Sequence, residues 1–134
     1  TISRQHFLRF SLPEMYQNLI DLEINEDYSM GYASHVGFRA GTSIPFHFFD
    51  LDFEIQTPLL IYPFALMDTT LNDYMGLTPK QSLGRTKDLL QEVMKVKGTF
   101  ITLFHNESVS GYLRWNGWQR VYETMLKMIR KNAY

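Results

Sequence analysis

Residues Lys97 to Glu107 read Lys-Gly-Thr-Phe-Ile-Thr-Leu-Phe-His-Asn-Glu. From Thr99 to the histidine the stretch is β-branched, aromatic and aliphatic, with a glycine before it and polar residues after it, which is typical of a short buried strand. Ligands of parallel α/β sheets bind at the carboxyl ends of the strands, so His105 is the leading candidate for a site residue. The pattern fits equally a histidine that ends a core strand and bonds a neighbouring loop, and the sequence leaves both interpretations open.

Helix and strand signals alternate along the rest of the chain. Thr78 and Gln81 form a capping-box pair at the start of a helix that ends at Gly98. Asp68 is expected to cap a shorter helix, although it also follows a strand and could face a site. Pro63 predicts a bend, a bulge or an edge position in that strand. The remaining predicted strands cover residues 5–10, 46–53 and 59–67, and the remaining predicted helices cover residues 12–23 and 116–131. The alternation predicts an α/β fold with parallel strands.

Composition narrows the class of protein. The 134 residues suit one domain, spanning 1–134, and carry a formal net charge of -1 from 13 basic and 14 acidic residues. No basic stripe is present, so nucleic acid is not expected as a partner. The absence of cysteine excludes disulfides and thiolate metal sites, and no apolar run approaches the roughly 20 residues that span a bilayer, so no membrane partner is expected either.

Other side chains were weighed as site residues. Arg39 lies between Gly37 and Gly41 in a loop with little periodicity, where it is either open to a ligand or paired with a carboxylate. A metal site built from His47 and the nearby aspartates is rejected, because alternate strand residues point to opposite faces. Of the two tryptophans near the last helix, Trp118 is expected in the core, whereas Trp115 could stack on a sugar ring or close the core.

Four segments taken together resemble the C-terminal half of a polysaccharide deacetylase-like protein of a kind found in Bacteroidetes. They are Arg-Gln-His-Phe-Leu-Arg-Phe at 4–10, Asp-Tyr-Ser-Met-Gly-Tyr at 27–32, Gly-Phe-Arg-Ala-Gly-Thr at 37–42 and Leu-Phe-His-Asn-Glu at 103–107. The resemblance, to carbohydrate esterase family four, implies a partial (β/α) barrel. It also implies metal-dependent removal of N- or O-acetyl groups from glycans.

The resemblance also implies roles for individual residues. Leu103-Phe104-His105 matches a Leu-x-His motif whose histidine is the general acid, and Arg4, or alternatively Arg9, matches an arginine that orients the catalytic base. Arg39, Asp27 and His6 lie in the resembling segments and are expected to contact substrate. Trp115, as a ring that could stack on a sugar, is a further candidate for substrate binding.

The aspartate-pair motif and the His-x-x-x-His metal motif of the family do not occur in this sequence. We therefore expect no metal ligands and no cofactor within the chain itself, a divalent, zinc-like metal only in a longer parent protein, and no deacetylase activity from the 134 residues alone. The first residue, Thr1, likewise suggests a processed product or a piece of a longer protein. Half a barrel leaves a sheet edge open, which predicts a homo-oligomer. The alternative is a glycan-binding or assembly module on the same scaffold without the chemistry.

Overall fold

The computed structural model describes residues 1–132, which form a mixed α/β structure with two small sheets. The first sheet has the order β1-β2-β4-β3 and contains β1 (Ile2–Ser3), β2 (Glu26–Asp27), β3 (Phe46–Asp50) and β4 (Ile55–Ile61). The first three strands in that order run parallel, and β3 joins β4 as an antiparallel hairpin. The second sheet pairs β5 (Leu66–Met67) with β6 (Thr102–Leu103) in parallel. Within the described residues the two sheets do not close into a barrel.

Four α-helices connect or follow these strands. They are α1 (Glu14–Asp21), α2 (Pro79–Lys95), α3 (Asn106–Val109) and α4 (Trp118–Asn132). The predicted capping box of α2 is confirmed: Thr78 Oγ1 accepts a hydrogen bond from the Gln81 backbone, and Gln81 Oε1 accepts one from the Thr78 backbone N–H at 2.9 Å. In the described part of the chain, no helix is long and apolar enough to cross a membrane.

Two strand–helix–strand units carry the predicted alternation. The first runs β1–α1–β2, and the second runs from β5 through a π-helical turn at Thr70–Tyr74 and α2 to β6. In each unit the two strands are parallel neighbours. Their carboxyl ends therefore lie side by side, where ligands bind in parallel α/β sheets.

The strand predicted over residues 5–10 is wrong. The strand of this region is β1, and His6–Leu8 form a 3₁₀ turn in which Phe7 and Leu8 have φ values of 58° and 52°. Because a left-handed backbone cannot continue a ladder, the aromatic residues here belong to a loop at the carboxyl end of β1.

Two other strand boundaries also shift. The stretch from Thr99 to His105 is extended only briefly as β6, because its neighbour β5 is itself two residues long. Pro63 divides the predicted strand 59–67 into β4 and β5, which belong to different sheets, so the predicted bend at this proline is confirmed.

The core consists of two apolar clusters. One lies under the first sheet, where Tyr16 and Leu19 of α1 pack against Leu59 and Ile61 of β4. The other joins the second sheet to α2 and α4, and its buried members are Val36, Leu66, Leu71, Trp115, Trp118 and Val121. Trp118 is in the core as expected. Asp50 is also buried. Its carboxylate is satisfied by hydrogen bonds from Gln17 Nε2 at 2.9 Å and from the Asp52 backbone at 2.9 Å.

Candidate functional site

A cavity of about 540 Å³ opens near the carboxyl ends of β1, β5 and β6. The loop after β1 lines it with Arg4, His6 and Phe7, and the ends of β5 and β6 line it with Met67 and His105. Further lining residues come from the turn after β5 and from the segment before α4; these are Asp73, Tyr74 and Arg114. Arg4 and His6 thus share a cavity with His105, although about 100 residues separate them in sequence.

Asp68 is the buried centre of the site. It directly follows β5, and its carboxylate accepts hydrogen bonds from the His105 backbone at 2.6 Å, His105 Nδ1 at 2.7 Å and the Thr69 backbone at 2.7 Å. Ser108 Oγ also donates to this carboxylate. Four donors therefore converge on one buried carboxylate. Asp68 accepts from the N–H of the adjacent Thr69, and the turn at Thr70–Tyr74 has no side-chain capping bond, so the expected cap is wrong. Its other bonds are with His105 and Ser108, so Asp68 holds the residues of the site without itself lining the cavity.

The ring of His105 is fixed on one side and open on the other. Because Asp68 is an acceptor, the short contact places the proton of the imidazole on Nδ1. The side chain is 43% exposed and lines the cavity, and no described residue forms a hydrogen bond to Nε2. A histidine held in this way presents Nε2 to a ligand, where it can accept a proton or, once protonated, donate one.

Ser108 completes the arrangement without being a nucleophile. It lies in α3, is fully buried, and its Oγ lies 2.8 Å from the His105 carbonyl in addition to its bond to Asp68. A nucleophilic serine would instead hydrogen-bond to the imidazole and face the cavity. The cluster is consequently an Asp–His dyad with a serine that holds the aspartate.

Arg4 extends from the end of β1 towards the same cavity. Its Nε donates to the Tyr28 carbonyl at 3.2 Å, and its guanidinium lies 5.7 Å from the centre of the Tyr28 ring. Burial lowers the pKa of Arg4, and the attraction of the nearby Asp27 carboxylate opposes that shift. An arginine with one side anchored in this manner presents a fixed positive charge beside the cavity.

Asp27 lies behind Arg4 and is not exposed to the cavity. It is fully buried at the end of β2 and accepts hydrogen bonds from the Ser29 backbone at 2.9 Å and from Ser29 Oγ at 2.8 Å. Burial raises the pKa of Asp27, and its hydrogen bonds with Ser29 oppose the shift. Its position supports Arg4 and the loop that follows, and gives no direct contact with a ligand in the cavity.

The other implied substrate residues are dispersed. His6 lines the cavity, with its ring 4.2 Å from that of Phe7. Arg39 does not line it; its guanidinium lies 4.7 Å from the centre of the Phe10 ring. Arg9, the alternative to Arg4, lies 5.8 Å from the Phe7 ring and is also absent from the cavity lining.

Trp115 must be reassigned to the core. It is only 1% exposed and packs edge-on against Trp118 at a centroid distance of 5.4 Å. A ring buried on both faces has no surface on which a sugar could stack, so the open alternative for Trp115 is settled by its packing with α4.

Sequence reasoning missed one feature of the rim. Arg114 lies 3.4 Å from Asp73 and 3.7 Å from Glu107, which joins the segment before α4 to the turn after β5. No periodicity or motif marks the pair of Arg114 and Asp73, because the two residues are far apart in sequence and lie outside the strands.

Comparisons with known proteins give no assignment: no family model, curated protein or solved structure matches the chain. Across residues 1–132, no three histidine, aspartate or glutamate side chains come together as a potential metal site. The side chains of residues 1–132 therefore do not fit the divalent metal that the resemblance implies.

Proposed function

We propose that this chain is the C-terminal portion of a carbohydrate deacetylase, with a partial (β/α) barrel of the polysaccharide deacetylase type. Two parallel strand–helix–strand units support this proposal, since such units are the repeating element of a (β/α) barrel. The position of His105 and Arg4 beyond the carboxyl ends of parallel strands also supports it, because barrel enzymes carry their chemistry at that end.

The Asp68–His105 dyad is the observation that carries the proposal. In deacetylation, water adds to the acetyl carbonyl carbon, and the resulting tetrahedral intermediate collapses as the bond to the sugar nitrogen or oxygen breaks. The leaving atom needs a proton. His105 would donate it from Nε2, while Asp68 accepts from Nδ1–H and stabilises the imidazolium before the transfer. The products are acetate and the free amine or alcohol of the sugar.

The residues around the dyad suit a polar, largely uncharged ligand. Arg4 and His6 bring hydrogen-bond donors to the cavity, and Arg114 is balanced by Asp73 and Glu107. We assign Arg4 and His6 to the binding of sugar hydroxyl or acetyl oxygen atoms. In this proposal the divalent metal and the base that activates water belong to a longer parent protein, and none of the steps above passes through a metal.

The experiment that tests the proposal compares His105→Gln with the wild type in the longest natural form of the protein. Acetate release from N-acetylchitotetraose should fall by roughly 10²- to 10⁴-fold in the variant, because glutamine keeps a similar shape but cannot transfer the proton. His35→Gln is the matched control, since His35 contacts Tyr32 and Ser34 and does not line the cavity. Its turnover should equal that of the wild type.

Three results would count against the proposal in different ways. Unchanged turnover in His105→Gln would remove His105 from the chemistry. Acetate release by the 134-residue chain alone would show that the chain is not a dependent portion of an enzyme. Oligosaccharide binding without turnover in the longest natural form would favour the alternative, a glycan-binding module.

The hairpin of β3 and β4 exposes apolar side chains, which favours self-association of the chain. The turn between β3 and β4 exposes 80% of Leu51 and 68% of Phe53, and Phe49 and Ile55 are about half exposed beside it. β3 is also the last strand of its sheet, so its outer edge is unpaired in the described chain. We propose that a second copy of the chain covers this hairpin, because an apolar edge strand pairs readily with its equal.

The oligomer has its own test, which is sedimentation velocity of the purified chain. Leu51→Lys combined with Phe53→Lys should weaken self-association by about 100-fold or more, since each side chain loses the burial that association provides. Met94→Lys is the control, because Met94 is a partly exposed apolar residue on α2, far from the hairpin in sequence. A wild-type chain that stays monomeric at about 100 μM would contradict the proposal.

A further inference from the structure

Phe7 combines two unusual properties at the cavity. Its backbone has a φ of 58°, in the left-handed region, and its side chain is 75% exposed. A bulky residue rarely adopts this conformation, because its Cβ crowds the following carbonyl. An exposed phenylalanine also gains little from packing. Its contacts within the described chain are local, with the His6 ring at 4.2 Å and the Arg9 guanidinium at 5.8 Å, and they leave three quarters of the residue exposed.

Phe7 nevertheless faces the site. The strained backbone belongs to the loop that follows β1, and the ring lines the cavity together with His105 and Arg4. Strained residues of this kind concentrate at ligand-binding positions, where the conformation serves to place a side chain. The left-handed backbone of Phe7 therefore indicates that its ring is placed to contact a ligand in the cavity.

A second exposed aromatic ring lines the same cavity from a different part of the chain. Tyr74 ends the π-helical turn after β5 and is 62% exposed. Phe7 and Tyr74 thus provide apolar ring faces, while His6, Arg4, Asp73 and Arg114 provide polar atoms around them. This combination of few polar groups with aromatic faces is the composition of a site for a ring that is apolar on its faces and polar at its edge.

We infer that Phe7 and Tyr74 form a stacking platform for one pyranose ring, which they hold beside Nε2 of His105. The inference rests on the proposed function for the chemistry of the ligand, and extends it by naming the residues that recognise the sugar. The C–H face of a pyranose would lie on the aromatic rings, and its hydroxyl groups would reach the polar side chains at the rim. The cavity volume of about 540 Å³ admits a ligand of that size.

The test measures affinity and stability on the same variants of the 134-residue chain. The probe is N-acetylchitotetraose, followed by chemical-shift titration, and stability is followed by urea denaturation. Phe7→Gly should bind the probe at least about tenfold more weakly, because the ring is lost. Its folding equilibrium constant should rise by roughly fivefold, because glycine adopts the left-handed conformation without strain. A residue with a purely structural role would not improve stability when it is removed.

Three further variants make the result specific. Phe7→Ala keeps the strain and loses the ring, so it should weaken binding without the gain in stability. Lys97→Gly is the matched backbone control, since Lys97 has a φ of 52° outside the cavity, and it should gain stability with unchanged affinity. Tyr74→Phe keeps the ring and should bind as the wild type does, whereas Tyr74→Ala should not.

The outcomes separate the inference from the proposed function. If Phe7→Gly and Tyr74→Ala bind the probe as tightly as the wild type, the stacking platform is wrong, while the role of His105 in acetate release stands on its own test. If the wild-type chain shows no binding of the probe at millimolar concentration, the platform is also overturned. Acetate release by the longest natural form then decides separately whether the deacetylase proposal survives.

Discussion

Replacing Asp68 with asparagine should lower the free energy of unfolding by about 2 kcal/mol, and replacing it with alanine should lower it by about 4 kcal/mol. Alanine removes the shared acceptor of four donors: the backbone N–H groups of Thr69 and His105, His105 Nδ1 and Ser108 Oγ. Ser108 Oγ keeps the His105 carbonyl as an acceptor at 2.8 Å, so the loss falls mainly on the other three. Since a domain of this size has a total stability of roughly 5–15 kcal/mol, the alanine variant loses a large part of it.

The asparagine variant should be less stable because its amide has only one acceptor oxygen for two backbone donors. Each carboxylate oxygen of Asp68 faces one backbone N–H, that of Thr69 on one side and that of His105 on the other. Serine and histidine can reverse their roles by rotation or by a change of tautomer, but a backbone N–H always donates. Whichever way the new amide is oriented, its NH₂ group faces one of these donors. One buried N–H therefore loses its hydrogen bond in either orientation.

Urea denaturation followed by tryptophan fluorescence measures the effect, because Trp115 and Trp118 are buried in the core. Asp73→Asn is the matched control: Asp73 is also an aspartate at this cavity, but it is partly exposed, and its carboxylate forms a long ion pair with Arg114 and an exposed hydrogen bond with Asn72 Nδ2 at 3.1 Å. It should change stability by no more than about 0.5 kcal/mol. If Asp68→Asn and Asp73→Asn are equally stable, the hydrogen bonds to Asp68 do not contribute to the free energy of unfolding as predicted.

The same dyad shows how far the sequence could lead to the site. The apolar run before His105 predicted a residue at a strand end, and in the structure His105 lies two residues beyond the end of the short strand β6. Asp68 also follows an apolar run, but a residue after a strand and before a helix carries two signals at once, and capping is the commoner role. Only the parallel pairing of β5 with β6 brings the two strand ends together. That pairing is a long-range contact that local patterns do not encode.

The misplaced strand over residues 5–10 has a related cause. Its aromatic residues have high strand propensity, yet here they belong to a loop with left-handed residues at Phe7 and Leu8. Propensity reflects the partly buried surface of a typical strand, whereas Phe7 is exposed at a cavity. Trp115 is the opposite case, because the sequence left open whether it stacks on a sugar ring or closes the core, and its packing against Trp118 buries it. In both cases tertiary packing decided what composition could not.

The approach of the chain to Phe64 gives the second large effect, since Gly31→Ala should lower the free energy of unfolding by about 3 kcal/mol. A Cβ atom at Gly31 would overlap the Phe64 ring, coming within 2.6 Å of Cδ1. The ring cannot move aside easily, because Phe64 is fully buried. It lies in the segment that links β4 to β5, and its backbone N–H donates to the Met30 carbonyl at 3.0 Å. The strain must then be relieved by moving backbone or core side chains.

Gly84→Ala is the matched control for the same chemical change. Gly84 lies inside α2, and a Cβ atom there meets nothing within 4 Å, so alanine should raise stability by about 1 kcal/mol through its better helix propensity. Phe64→Leu in the Gly31→Ala background tests the cause directly. If the clash with the ring is responsible, the smaller side chain makes the double variant more stable than the sum of the two single changes predicts. Additive effects in urea denaturation would instead show that the clash with the Phe64 ring does not cause the loss.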